Sequence, residues 1–589
     1  MICRGGIVAD RPRLSSSAFG RGGERARRKQ PSARSVPSLT EELHAAPART
    51  SWSTVVVAVV SAAILLWFLP GRSGIAPLVE SDYCYLLIAA DRMHNGMGPT
   101  SLQPVAPLQP WEWRYDWGFL TQWPVGYATL IAANRWMFGV TSITAAKGVS
   151  ILACAFALAG WFSWIRRCVP RGGTSVLLAA LAAACAVPVG SLLNPSTDAI
   201  LMAGLPIVLL LVSDAVAIES SATAKVDRQH SPWRFALAGV LAGALCWFRY
   251  AAIFVPAAIL LFLLIVSLRR RIRGRSLVSF LVGVATPIAA LCLVTGLLGA
   301  TVSVGERFNL GQRTAWHGSW SLLWTAWWNL TDLGFYAHRP IVHWTLALGP
   351  IALIPLVLVV RPTRRSLSRL ILVPTVALSA CVVTTLVVML IVSTAVFGDK
   401  FNYVGLERYY LPGKPLFLVL AVLPLMLIPR RVVRAGVSCL VVACAIWVVQ
   451  VEWVRAYQSA IVRQKDATPY GQWNRCFTPD AGALYSWLRS QASPELVVVS
   501  NYHETIALET GLPTLPVPNS PEQLRGWLDR LAASRGVAHS RVLFVVDTDN
   551  RWRSYWIPDV PSIRETFELV NPTSIPNVAT DAVYQYPQS

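Results

Sequence analysis

The sequence predicts an all-α polytopic membrane domain with about eleven crossing helices plus juxtamembrane helices, followed by a small C-terminal α/β domain outside the cytoplasm. Three observations carry that reading. Of 589 residues 54% are apolar and only 14% charged, against roughly 25% charged in soluble domains. Apolar runs recur, at 51–69 and 370–396 for example, that are long enough at about 1.5 Å per residue to cross a hydrocarbon core of about 30 Å. After about residue 455 the composition shifts to short alternating helix and strand patterns. Backbone in lipid must satisfy its own hydrogen bonds, so the long runs are helices.

The net charge of +21 is distributed in a way that excludes a nucleic-acid footprint. Residues 1–50 scatter Arg11, Arg13, Arg25, Arg27, Arg28 and Lys29 among Ser, Gly and Pro without an apolar period, which reads as a disordered cytoplasmic tail. The other basic clusters, Arg166 with Arg167, then 269–271, 361–369 and 430–434, sit beside apolar runs. That is positive-inside patterning rather than a phosphate-binding stripe.

The run at 52–70 follows the tail and ends in Phe-Leu-Pro-Gly-Arg without a small-x-small cleavage site, as an uncleaved signal anchor does. A polar, Pro- and Trp-rich outer loop is predicted over 71–119. Further apolar segments lie at 120–138, 147–165, 174–193, 198–217, 235–249, 251–268, 277–299, 342–360, 370–396, 412–429 and 434–452. Counting all of them as crossings would put three basic clusters outside. The segment 120–138, interrupted by Asn134 and Arg135, is therefore read as juxtamembrane or re-entrant, since such a pair is costly at mid-depth. The membrane domain is thus 51–455, and 456–589 forms the outer α/β domain with helices at 479–490 and 520–534. Its strands are expected at 495–500 and 541–547.

Eleven cysteines are present, most inside apolar runs, and no Cys-x-x-Cys spacing occurs. Cys84 and Cys476 both fall on the outer side, as two free thiols or as a bridge.

Outer-side acids are the candidate chemical groups. Glu80 and Asp82 open the stretch leading into Tyr83 and Tyr85, and they suit a base or metal ligands or, alternatively, simple loop acids at a helix N-terminus. Asp198 follows Asn-Pro-Ser-Thr, where Ser196 or Thr197 can cap the next helix. Arg249 lies within an apolar stretch, where a lone charge costs at least about 2.5 kcal/mol at mid-depth; it either snorkels to the interface or has a buried partner. Arg408 and Tyr409 sit where an outer loop meets a helix, and an arginine fork there suits a phosphate; alternatively Arg408 pairs with Glu407 or with lipid headgroups. Trp316, Trp320, Trp324, Trp327 and Trp328 form an interfacial belt or stack on sugar rings, the belt being the preferred reading.

Read together, the acidic loop before Tyr-Leu-Leu-Ile-Ala-Ala, Gly-Met-Gly-Pro at 96–99, Trp-Pro-Val-Gly-Tyr at 123–127, Thr197-Asp198, Phe248-Arg249-Tyr250 and Glu407-Arg408-Tyr409-Tyr410-Leu411-Pro412 resemble the GT-C superfamily of integral membrane glycosyltransferases. The resemblance is to the bacterial enzymes related to protein O-mannosyltransferases and aminoarabinose transferases, and it covers about 52–450. It implies a multi-pass protein of the cytoplasmic (inner) membrane, N-terminus inside. Such a protein moves a hexosyl or pentosyl group from a polyprenyl-phosphate-linked donor to a glycan, lipid or protein acceptor outside. By that analogy Asp82 is the general base of an inverting transfer, with Glu80 in reserve because Ser81 separates the two acids. Asp198 orients substrate, while Arg408, Arg249 and Tyr409 hold the donor phosphate; Tyr83, Tyr85 and Tyr127 contact substrate. No Asp-x-Asp motif is clear, so metal-independent chemistry without a cofactor is expected. The lipid bilayer is a partner and nucleic acid is not. The rival class, a transporter or flippase of lipid-linked sugars, predicts ionisable residues in broken helices at mid-depth; the outer acids favour surface catalysis.

Overall fold

The computed structural model describes residues 81–103, 114–120, 123–168, 196–220, 231–297, 320–331, 373–397, 407–426, 481–518, 520–535, 541–546, 560–569 and 583–586, with a few isolated positions. Glu80, Trp316, Cys476 and nearly all of the predicted crossings at 52–70, 174–193, 342–360 and 434–452 lie outside the described residues.

Five helices among the described residues are long and apolar enough to cross a membrane: Ser142–Cys168, Thr197–Ser220, Tyr250–Leu268, Gly274–Thr295 and Pro374–Val396. The protein is a multi-pass integral membrane protein. In chain order the first elements are α1 (Ser81–His94), a hairpin of β1 (Thr100–Gln103) and β2 (Arg114–Phe119), α2 (Gly126–Phe138), α3 (Ser142–Cys168) and α4 (Thr197–Ser220). Then follow α5 (Ser231–Ala244), α6 (Phe254–Leu268), α7 (Gly274–Leu297), α8 (Trp320–Thr331), α9 (Pro374–Phe397) and α10 (Lys414–Met426).

The stretch predicted as a polar loop thus holds a helix and an antiparallel hairpin. The reason is the apolar sequence Tyr-Cys-Tyr-Leu-Leu-Ile-Ala-Ala, whose eight residues are all buried in α1. The apolar segment at 120–138 forms only the 13-residue α2, about 20 Å at 1.5 Å per residue and so shorter than a hydrocarbon core. It ends in a left-handed Gly139 cap with Trp136, Met137 and Phe138 exposed, as befits an interfacial helix. Arg135, costly in isolation, is ion-paired with Asp91 of α1, and Ser142 Oγ at the start of α3 donates to the same carboxylate at 3.3 Å. Burial pushes the Asp91 carboxyl above its usual range, against the opposing pull of Arg135. One acid thereby ties three helices together.

The opposite end of the bundle gathers basic residues. Arg167, at the end of α3, pairs with Asp214 of α4. Glu219 of α4 accepts hydrogen bonds from the Arg273 N–H at 2.8 Å and the Ser276 hydroxyl at 2.7 Å. The clusters at 166–167 and 269–273 therefore share one end, while the N-terminus of the 24-residue α4 lies about 36 Å away at the other.

Helices α5 and α7 meet backbone to backbone. A Cβ on Gly239 would stand 2.3 Å from the Phe280 carbonyl oxygen, and one on Gly283 2.2 Å from that of Ala236. Gly239 and Gly243 are a Gly-x-x-x-Gly pair, the small-residue seam that lets helices associate where lipid supplies no hydrophobic drive. The far side of α7 exposes Val278, Val282, Leu293 and Leu297, a lipid-facing surface. Gly283→Val should lower stability in detergent by about 1–3 kcal/mol through overpacking, whereas Val282→Leu should stay within about 0.5 kcal/mol. Unfolding midpoints of the two variants check this.

The C-terminal unit holds α11 (Ala481–Ser490), β3 (Leu496–Ser500), α12 (His503–Thr510), β4 (Thr514–Pro516), α13 (Pro521–Arg535), β5 (Arg541–Val545), α14 (Val560–Thr566) and β6 (Val583–Gln585). Its sheet runs β4-β3-β5-β6; β3 is parallel to both neighbours, and β6 closes the edge antiparallel to β5. Val497, Val499, Val542 and Phe544 pack on one face, and Leu496, Val498, Leu543 and Val545 on the other, as strands covered on both sides require. Ala507 and Leu508 of α12 pack with Tyr83, Tyr85 and Leu86 of α1 in one apolar cluster, so this unit docks directly on the first described helix.

Candidate active site

The site is built at the α4 N-terminus. Ser196 caps the helix: the Asp198 N–H donates to Ser196 Oγ at 3.1 Å. Capping accounts for Ser196 and leaves the Asp198 side chain for another task. That carboxylate is ion-paired with Arg249, with side-chain exposures of 7% and 13%. The buried-partner alternative for Arg249 is therefore the one realised, and the partner is an acid on another helix.

Arg249 reaches Asp198 because the α5 helix breaks in front of it. The chain passes through a 3-10 turn at Leu245–Trp247, then Arg249 itself takes φ −154° and ψ 119° before a second turn at Tyr250–Ile253. The Trp247 indole N–H donates to the Pro287 carbonyl at 2.8 Å and pins the break to α7. Non-helical backbone inside a membrane protein is tolerated only where protein or a polar cavity surrounds it, and here it delivers a guanidinium.

The Arg249 guanidinium lies 4.8 Å from the centre of the Tyr409 ring, and Arg408 lies 5.5 Å from the same ring. Arg408 and Tyr409 belong to the turn Glu407–Tyr410. Two guanidiniums thus lie against one aromatic ring, and one of them is paired with a carboxylate of α4. Cation–π contacts hold such groups at a fixed spacing, and the arrangement offers forked donors to an anion.

A hydroxyl network joins this charge cluster to α1. Tyr83 Oη and Ser196 Oγ share a hydrogen bond of 3.2 Å. Tyr127 is fully buried; its hydroxyl accepts the Ser196 N–H at 3.0 Å and lies 3.4 Å from Ser150 Oγ. Tyr127 therefore stands behind the capping turn and supports it. Asp82 is the second residue of α1, next to Tyr83; its side chain lies outside the described residues. Tyr85 stacks on Trp123 at 4.8 Å and shares a 3.0 Å hydrogen bond with His503 Nε2. Of the sequence-predicted site residues, Tyr83, Tyr127, Asp198, Arg249, Arg408 and Tyr409 are brought together at one end of the bundle. Tyr85 sits apart, toward the C-terminal unit.

In α8, Trp320, Leu323 and Trp324 are exposed, while Trp327 packs edge-on against Phe417 of α10 at 5.2 Å. The exposed residues share a face at i, i+3 and i+4, as an interfacial belt requires.

Ser150 and His503 carry no local sequence signal of their involvement. The Tyr85–His503 contact spans 418 positions, and only the fold closes that distance.

Fold and site together define a multi-pass membrane protein with a buried, arginine-rich site at the bundle end remote from the basic clusters at 166–167 and 269–273. No family model matches the chain, and no curated protein matches it. Among solved structures, ArnT from Cupriavidus metallidurans in the apo state aligns with a TM-score of 0.50 at 14% identity, over 90% of this chain and 98% of that one. The same protein bound to undecaprenyl phosphate aligns at 0.49 and 14%, over 92% and 99%. The archaeal oligosaccharyltransferase AglB from Archaeoglobus fulgidus, in complex with an inhibitory peptide and a dolichol-phosphate, aligns at 0.47 and 13%, over 91% and 74%. The likeness to apo ArnT shows that the chain shares that protein's fold.

Proposed function

We propose that the protein is an inverting glycosyltransferase that moves one sugar from a polyprenyl-phosphate carrier to a hydroxyl acceptor at the outer face of the cytoplasmic membrane. The observation that carries the reading is the buried Asp198–Arg249 pair held against Tyr409 and Arg408, at the bundle end opposite the basic clusters. Positive-inside bias assigns those clusters to the cytoplasm, which puts the site and the C-terminal unit outside. ArnT, which has been seen with undecaprenyl phosphate bound, has this fold and supplies the donor class by analogy.

In the proposed step the Asp82 carboxylate takes the proton of the acceptor hydroxyl. The acceptor oxygen attacks the anomeric carbon from the side opposite the phosphate, and the bond from that carbon to the phosphate oxygen breaks. The electron pair leaves with the polyprenyl phosphate, and the charge that develops on it falls to Arg408 and Arg249. Asp198 holds Arg249 in place, so the guanidinium is already oriented when charge appears. Glu80 is the reserve base. The residues supply charge stabilisation and base without a metal or other cofactor.

The test is transfer of radiolabelled sugar from a panel of polyprenyl-phosphate sugars in proteoliposomes. Arg408→Ala should reduce kcat/KM for the donor by about 10²–10³-fold, the scale of one lost electrostatic donor, with acceptor KM little changed. A donor that crosses the bilayer unconsumed would instead establish the flippase reading.

A further inference from the structure

We propose that His503 of the C-terminal unit is a positioning residue for transfer, clamping Tyr85 and through it the first turn of α1, on which Asp82 stands. The inference rests on the assignment of Asp82 as base.

The residues of the clamp are buried. Tyr85 is 5% exposed, His503 9% and Glu504 7%. Three contacts hold the Tyr85 residue from different directions: Trp123 stacks on its ring at 4.8 Å with planes 20° apart, His503 Nε2 lies 3.0 Å from its hydroxyl, and Ser101 Oγ of the hairpin donates to its carbonyl at 2.8 Å. On its other side His503 faces a charge, with Glu504 Oε2 3.3 Å from Nδ1. That oxygen is buried and makes no hydrogen bond, so its interaction with the imidazole is electrostatic. Negative charge at that distance favours a proton on Nδ1 and leaves Nε2 to accept the Tyr85 hydroxyl proton, the tautomer logic of a histidine held by a carboxylate.

Helical geometry connects the clamp to the chemistry. At about 100° per residue, position 82 lies about 100° from Tyr83 and about 60° from Tyr85 around α1. Tyr83 reaches the Ser196 turn beside Asp198, and Tyr85 reaches α12. Position 82 therefore lies on the face between the charge cluster of the bundle and the C-terminal unit, at the seam that joins them. Ala507 and Leu508, one turn along α12 from the dyad, pack on the same helix, so movement of α12 is transmitted to α1. The Tyr85–His503 hydrogen bond fixes the rotation of α1 in a way the apolar contacts cannot, because apolar contacts are non-directional.

The experiment uses the full chain in proteoliposomes with radiolabelled polyprenyl-phosphate sugars, comparing wild type, His503→Ala, His503→Gln, Tyr85→Phe and the Tyr85→Phe/His503→Ala double variant. Hydrogen exchange of peptides spanning 81–94 is followed in parallel. His503→Ala should lower kcat about tenfold, the scale of one hydrogen bond, with donor KM unchanged and faster exchange in α1. His503→Gln, whose amide oxygen can accept the Tyr85 hydroxyl proton in place of Nε2, should restore most of the rate. The double variant should be no slower than either single one, since both remove the same contact. Wild-type kcat and exchange in His503→Ala overturn the clamp, as does full additivity in the double variant or a loss confined to donor KM. If wild type consumes no donor while Asp82→Asn changes nothing, the functional reading fails. The exchange of α1 then still decides whether His503 holds the helix.

Discussion

Asp82→Asn is expected to lower sugar transfer by about 10²–10⁴-fold, the range that a positioned general base supplies, while donor affinity stays within about twofold of wild type. The amide is isosteric with the carboxylate, so it preserves the turn of α1 but cannot accept the acceptor proton. Asp82 begins a helix whose following eight residues are buried, and its neighbour Tyr83 bonds the capping turn of α4. The backbone at that position is therefore held by the packing of the residues that follow it. Single-turnover transfer with saturating donor separates this loss from any change in binding. Full activity in Asp82→Asn would remove it as base, and the same assay with Glu80→Gln would then test the reserve acid.

The second large effect is expected from Arg249→Met. Asp198 is nearly inaccessible and would keep its charge without the partner that compensates it. Removing one member of a buried pair costs about 3–5 kcal/mol, so the variant should unfold at markedly lower temperature in detergent. Transfer should fall as well, because Tyr409 would lose one of the two guanidiniums that flank it. The double variant Asp198→Asn/Arg249→Met removes both charges. It should recover most of the stability and none of the activity, which distinguishes a structural pair from one that also serves the reaction. Thermal midpoints and donor consumption measured on the same preparations give both readouts. Equal stability of the single and double variants would mean that Asp198 is solvated rather than buried.

Much of the architecture was legible before any coordinates. Long apolar runs at 147–165, 198–217, 251–268, 277–299 and 370–396 correspond to the five helices long enough to cross a membrane, because in lipid a continuous apolar run leaves the backbone no option but a helix. The helices at 479–490 and 520–534 and the strands at 495–500 and 541–547 also form where their patterns place them. The amphipathic period and the Val-rich strand pattern are local properties, readable from neighbouring residues. The loop predicted over 71–119 is different: its polarity concealed a helix and a hairpin that form by packing against α2, α3 and α12.

For the site, residue types in order identified Asp198, Arg249, Arg408 and Tyr409 as candidates, since a charge beside or within an apolar run demands a reason. What those charges do to one another lay beyond the sequence. Arg249 had two open alternatives until the break after α5 and the cap at Ser196 put its guanidinium against Asp198. Tyr85 carried no sign of His503, which lies 418 positions away. The chain by itself picked out the five described helices long and apolar enough to cross a membrane and the charged residues beside them, because hydrophobicity and helical period act over a few turns. Only the tertiary structure decided which charges pair, which tyrosine backs the capping turn and which faces the C-terminal unit. Coulomb attraction and hydrogen bonding act over a few ångströms in space, and sequence separation does not report that distance.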